Sequence, residues 1–146
     1  MSLSLSLDGK RALICGASAG IGRATALQLA EQGAHCILLA RRADRLDSLK
    51  REIEANGGSA EVLVGDLDKR DATVASVQAK LAEGAIHILI NNAGGPKGGP
   101  ILNAAEEEFT TAFGRHVLAA HRLTQTLIEG MKSSGYGRII NIISTS

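Results

Sequence analysis

The residues best suited to chemistry in this sequence are small ones. Gly16-Ala17-Ser18-Ala19-Gly20-Ile21-Gly22 places three glycines within seven positions. Such a turn lets backbone amides approach a ligand with no Cβ in the way. Where it opens a helix, its unpaired N–H groups and the positive end of the helix dipole face an anion. Gly16 permits the sharp turn, while Gly20 and Gly22 let backbone and ligand, or helix and strand, close up. Ser18 and Thr25 add hydroxyls, of which Ser18 is expected near phosphate or ribose and Thr25 is expected to be structural. Each glycine alone is equally a turn former or a packing position, so a phosphate cradle requires that the turn lie between a strand and a helix.

The surrounding periodicity supplies that context. Residues 11–15 read as a strand and 20–32 as a helix stopped by Gly33, followed by a strand at 35–40 and a helix over 43–56 with Leu46, Leu49 and Ile53 at helical spacing. A third strand spans 59–64, and a third helix runs from Asp68, as N-cap, to residue 83 with Val74, Val77 and Leu81 on one face. Residues 86–90 form a fourth strand, 106–131 a long helix with an acidic first turn, and 138–143 a fifth strand. Strands apolar at nearly every position must be covered on both faces. The expected architecture is therefore a doubly wound α/β layer with a parallel sheet. The Gly/Pro-rich stretch 94–100 follows the fourth strand at its carboxyl end, where open α/β sheets bind ligands; it reads as a cleft wall or as a linker.

Composition excludes several function classes. A chain of 146 residues is about one domain. Sixteen Lys and Arg against fifteen Asp and Glu give a net charge of +1 with no basic block, so neither nucleic acid nor an anionic membrane is an expected partner. The apolar runs 86–90 and 139–143 are far shorter than the roughly 20 residues that cross a bilayer. Residues 1–7 alternate Ser with Leu and lack the basic start of a signal peptide. Cys15 and Cys36 fall in predicted strands, without a CxxC or a histidine cluster, so small core side chains are expected rather than a disulfide or metal site, and a cytoplasmic setting follows.

Further landmarks follow the glycine turn: Asp66 after the third strand, Asn91-Asn92-Ala93-Gly94 after the fourth, and Gly137-Arg138-Ile139-Ile140-Asn141-Ile142-Ile143-Ser144 at the fifth. With the Gly-x3-Gly-x-Gly spacing, they resemble the short-chain dehydrogenase/reductase family. The resemblance implies a single NAD(P)-binding Rossmann domain over residues 1–146, with five of the usual seven strands and a truncated C-terminal side. It also implies that Gly16, Ser18, Gly20, Ile21 and Gly22 hold the cofactor, that Asp66 and Leu67 lie beside adenine, and that Asn91, Ala93 and Gly94 line the cleft. A helix start is the plainer role for Asp66. Ser144 is the family's hydroxyl that polarises the substrate oxygen, and the long helix bearing Leu118, Leu123 and Leu127 corresponds to a surface used in homodimers and homotetramers.

Charge after the second strand bears on cofactor choice. A carboxylate there would accept the ribose 2′ hydroxyl and repel a 2′ phosphate. This sequence has Ala40-Arg41-Arg42 instead, so NADP(H) is favoured over NAD(H), with Arg41 and Arg42 as donors to the phosphate; a solvated helix start is the alternative for Arg42. Three departures from the family stand out. The family's Tyr-x-x-x-Lys would fall about a dozen residues beyond Ser144, past Ser146, and the one tyrosine, Tyr136, precedes the fifth strand and cannot take that role by spacing. Arg115-His116 stands where the family shows Val-Asn, so His116 is a candidate for the Asn in a proton relay, or a residue of surface packing. The stretch 92–100 resembles a divergent branch. The expected function is an NADP(H)-dependent oxidoreductase moving hydride between nicotinamide and a small-molecule carbonyl or secondary alcohol. The alternative is a nucleotide-binding module without turnover.

Overall fold

The computed structural model describes residues 4–144. Residues 1–3, and Thr145 and Ser146 beside Ser144, lie outside the described residues. Short runs of aliphatic residues form β1 (Arg11–Cys15), β2 (His35–Ala40), β3 (Ser59–Val64), β4 (Ile88–Asn91) and β5 (Arg138–Asn141). Between them lie α1 (Gly20–Glu31), α2 (Ala43–Ala55), α3 (Arg70–Lys80), α4 (Glu106–Phe113) and α5 (Ala119–Ser134). The strands are parallel in the order β3-β2-β1-β4-β5, the doubly wound layer expected from the sequence. The chain fills one side of β1 first and then crosses to the other. The carboxyl ends of β1 and β4 therefore flank the crevice where the topology reverses, the place at which such sheets bind ligands.

Alternation along each strand divides the core into two layers. Ala12, Ile14, Cys36 and Leu38 face Ala26, Leu46, Leu49 and Ile53, while Leu13, Ile37 and Leu39 face Val77, Leu123 and Leu127. Leu123 and Leu127 are thus core residues, 1% and 0% exposed. The apolar face of this helix has to pack on its own sheet, and Leu123 and Leu127 do so, while Leu118 is 38% exposed. Cys15 and Cys36 are buried in this core, and burial pushes both thiols up to about 12. The expectation of two covered faces does not extend to β5, where Ile140 is 46% exposed. Among the described residues β5 pairs only with β4.

Two element boundaries differ from expectation in ways that matter for the site. Asp68 does not cap α3; Lys69 occupies that position without a side-chain cap, and the Asp68 carboxylate is engaged elsewhere. The long helix is not uniform either. A π turn, Gly114–Leu118, joins α4 to α5, and the helix runs on to Ser134 before Gly135 stops it in the left-handed region at φ 66°. Turns of this type insert an extra residue into the helical ladder and recur at functional sites.

Candidate functional site

The crevice beyond β1 and β4 opens into a cavity of about 330 Å³, within the range of small-molecule sites. One wall is the glycine turn, contributing Gly16, Ser18, Gly20 and Ile21, and another is Arg41 and Arg42 after β2. Asp66 and Leu67 after β3, and Ala93 and Gly94 after β4, complete the set of sequence-predicted residues that meet there.

The glycines divide by role. Gly16 and Gly20 have φ of 64° and 55°, which side chains rarely adopt. A Cβ on Gly20 would meet nothing within 4 Å, so this position leaves open space. A Cβ on Gly16 would fall 2.7 Å from Asn92 Nδ2, and one on Gly22 would fall 2.7 Å from the Gly16 carbonyl carbon. Gly22 is buried and does not line the cavity; it lets α1 close on the turn. Asn92, which sequence reasoning did not single out, is wedged against both glycines and donates Nδ2 to the Cys15 carbonyl at 3.3 Å. It ties the end of β1 to the loop after β4.

The start of α1 fits an anionic group. Its N-cap is Ala19, which offers no side-chain acceptor, and its first turn holds no acidic residue. The first amides of a helix have no carbonyl partner within it, so they are left to a ligand or to water. Arg42 Nη2 donates to Ser18 Oγ at 3.1 Å, bringing the region after β2 up to the glycine turn. Thr25 bonds the Ile21 carbonyl within the helix at 2.8 Å, the structural role expected of it.

Other candidates lie outside the cavity lining. Asn91 donates its side-chain amide to Asn141 Oδ1 at 2.8 Å, joining β4 to β5. His116, on the π turn, donates Nε2 to the Gly94 carbonyl at 3.0 Å. Ser144 is exposed beyond the end of β5. Tyr136 is far from all of these in the fold. It precedes β5, at the other end of the sheet, with Lys10 Nζ 4.7 Å and Arg138 Cζ 4.6 Å from its ring.

The residue most clearly missed from sequence is Arg115. It lines the cavity, and its Nε and Nη2 grip the Asp68 carboxylate at 2.9 and 2.5 Å, while Nη1 lies 3.5 Å from the Gly94 carbonyl. This fork holds the Asp68 carboxyl below its ordinary range, with Arg41 and Arg70 adding to the effect, and raises Arg115 in return. Asp66 contributes differently. Its backbone N–H and C=O both bond the hydroxyl of Thr73, which is buried, at 3.1 and 2.7 Å, and its carboxylate accepts the Asp68 N–H at 2.9 Å. Among the described residues no group of His, Cys, Asp and Glu is placed to hold a metal ion.

Comparison with known proteins gives this arrangement relatives. Gluconate 5-dehydrogenase of Gluconobacter oxydans is 38% identical over 140 residues, covering 95% of this chain and 55% of the relative. The crystal structure of L-sorbose reductase from Gluconobacter frateurii, complexed with NADPH and L-sorbose, superposes with a TM-score of 0.88 at 34% identity, over 95% of this chain and 54% of that one. A metagenomic short-chain oxidoreductase in complex with NADP gives 0.89 at 37% identity, over 96% and 64%. The chain thus spans 54–64% of the length of these proteins. No helix among the described residues is long and apolar enough to cross a membrane. The glycine turn, the β1/β4 crevice and the Asn-Asn-Ala-Gly loop lie within residues 10–146, which match the short-chain dehydrogenase model, and the chain belongs to that family.

Proposed function

We propose that residues 1–146 form the NADP(H)-binding unit of an oxidoreductase that moves hydride between the nicotinamide ring and a carbonyl or secondary alcohol carbon. The observation that carries this reading is that Arg41 and Arg42 line the same cavity as the glycine turn, with Ala40 rather than a carboxylate at the end of β2. The cofactor, when bound, supplies the hydride; the chain supplies binding and orientation. Gly16, Gly20, Ile21 and the uncapped start of α1 would hold the pyrophosphate, and Arg41 and Arg42 the 2′ phosphate. Asp66, Leu67, Ala93 and Gly94 would line the nucleoside, while Gly22 and Asn91 support the cleft from behind. Ser144 would polarise the substrate oxygen, and His116 would position the loop through Gly94. The NADPH in L-sorbose reductase and the NADP in the metagenomic enzyme support the cofactor, and the sugar bound to the former supports a small polar carbonyl substrate. A homo-oligomer in the cytoplasm remains part of the proposal.

A nucleotide-binding module without turnover is the second reading. It is favoured by His116, the candidate for a proton relay, whose Nε2 is engaged by the Gly94 carbonyl and which does not line the cavity. Titration of the purified protein with NADPH and NADH, followed by a panel of carbonyl substrates, separates the two. Charged hydrogen bonds to a phosphate contribute about 1.5–3 kcal/mol, so Arg41→Ala is expected to weaken NADPH by about tenfold or more and leave NADH unchanged. Preference for NADH in the unaltered protein would overturn the assignment of Arg41, and binding without turnover of any carbonyl would favour the module.

A further inference from the structure

Arg115 lines the cavity as Arg41 and Arg42 do, yet its surroundings suit it to a different task. A guanidinium binds phosphate edge-on, through pairs of N–H groups in its own plane. In Arg115 those edges are engaged: Nε and Nη2 fork onto Asp68, and Nη1 is turned to the Gly94 carbonyl. Asp68 also neutralises the charge and sets a carboxylate where an incoming anion would have to sit. What these bonds leave unused is the face of the plane, on a residue that lines the cavity. A fork bonded at both nitrogens cannot swivel, so the group is a rigid flat wall, with its side chain 24% exposed.

Flat faces recognise flat ligands, and guanidinium planes stack on heteroaromatic bases. No aromatic side chain lines the cavity, and its other two guanidinium groups, Arg41 and Arg42, are the ones assigned to the 2′ phosphate. The chain has no Trp, two Phe and one Tyr. Phe109 and Phe113 are exposed on α4, Tyr136 is at the opposite end of the sheet, and none of the three lines the cavity. We infer that the Arg115 guanidinium, locked by Asp68, is the stacking wall for the purine base of the bound nucleotide, with Asp68 as its positioning residue. This rests on the reading of the cavity as a dinucleotide site.

The test uses the whole protein and four probes: NADPH, NADH, ADP-ribose, which carries the base without nicotinamide, and NMNH, which carries reduced nicotinamide without the base. Arg115→Met removes plane and charge, Arg115→Lys keeps only charge, and Arg115→Tyr restores only a flat face. Met and Lys are expected to weaken NADPH, NADH and ADP-ribose by one common factor of about three- to thirtyfold, leave NMNH unchanged, and be rescued by Tyr. Asp68→Asn is expected to lose part of the same factor for the same probes. A loss confined to NADPH would make Arg115 a phosphate contact and overturn the inference, as would Arg115→Lys binding like the unaltered protein. If the unaltered protein binds neither dinucleotide, the proposed function fails with it. Normal binding that Arg115 variants do not change sinks the stacking wall alone.

Discussion

Gly22→Ala tests whether the cleft is held by close backbone packing, because two opposite signs are available for its effect. Gly22 lies in the first turn of α1 with ordinary helical backbone, so propensity alone makes alanine more stable there by about 1 kcal/mol. Sterics argue the other way. The added Cβ would lie against the Gly16 carbonyl oxygen, 2.7 Å from its carbon, and 2.8 Å from Asn92 Nδ2. The first obstacle is backbone and cannot turn aside, and the second would have to give up its bond to the Cys15 carbonyl. Overpacking of this kind costs about 1–3 kcal/mol. The carbonyl clash places Gly22 in the upper part of that range, and after the propensity gain a net loss of about 1–2 kcal/mol remains. For a chain of this length the melting temperature should fall by about 2–8 °C. Urea denaturation followed by circular dichroism gives the free energy directly, and NADPH titration of the folded fraction should show weaker binding as the turn is pushed outward. A variant as stable as the parent, or more so, would show that α1 and the turn do not depend on this contact and would refute the division of glycine roles.

Two further outcomes follow from the protonation chemistry of the core. His87 Nδ1 accepts the Arg11 N–H at 3.0 Å, and burial, with Lys10 and Arg11 adding, holds the ring below its ordinary 6.5. The unfolded chain therefore takes up a proton before the folded one does, so stability should decline as pH drops below about 6.5. The urea midpoint of His87→Gln should decline less steeply between pH 7 and 5; identical slopes would remove His87 as the cause. The thiols of Cys15 and Cys36, pushed up to about 12, should stay unlabelled by iodoacetamide in native protein at pH 8 and react fully in urea. Labelling of the native protein at the rate of a free thiol would contradict their burial.

How much of this was legible in the sequence depends on how far each contact reaches along the chain. The glycine turn, the strand at 11–15 that precedes it and the helix it opens are neighbours in sequence, and periodicity with glycine placement was enough to locate them. The convergence of Arg41, Asp66 and Gly94 was legible at one remove, since a parallel sheet gathers every strand's carboxyl end on one edge. Arg115 was not legible on either ground. Its partner Asp68 lies 47 positions away, and that residue reads locally as a helix cap. An ideal helix continued from Phe109 would also aim the side chain differently, because the π turn adds a residue to the ladder and rotates whatever follows it. The same insertion turns His116 toward the Gly94 carbonyl, so both residues that replace the family's Val-Asn pair act on the loop after β4. Propensity has no term for such a turn, since nothing in Gly114-Arg115-His116 disfavours an ordinary α-helix except one glycine. A Cβ on that glycine would fall 2.6 Å from Arg70 Nη1, the far end of a flexible side chain that can move aside, so packing does not demand glycine there. The departure from the family pattern at 115 and 116 was thus visible as a change of residue type, while its consequence, a guanidinium brought into the cavity beyond β1 and β4, depended on a tertiary contact between the π turn and the residues just before α3.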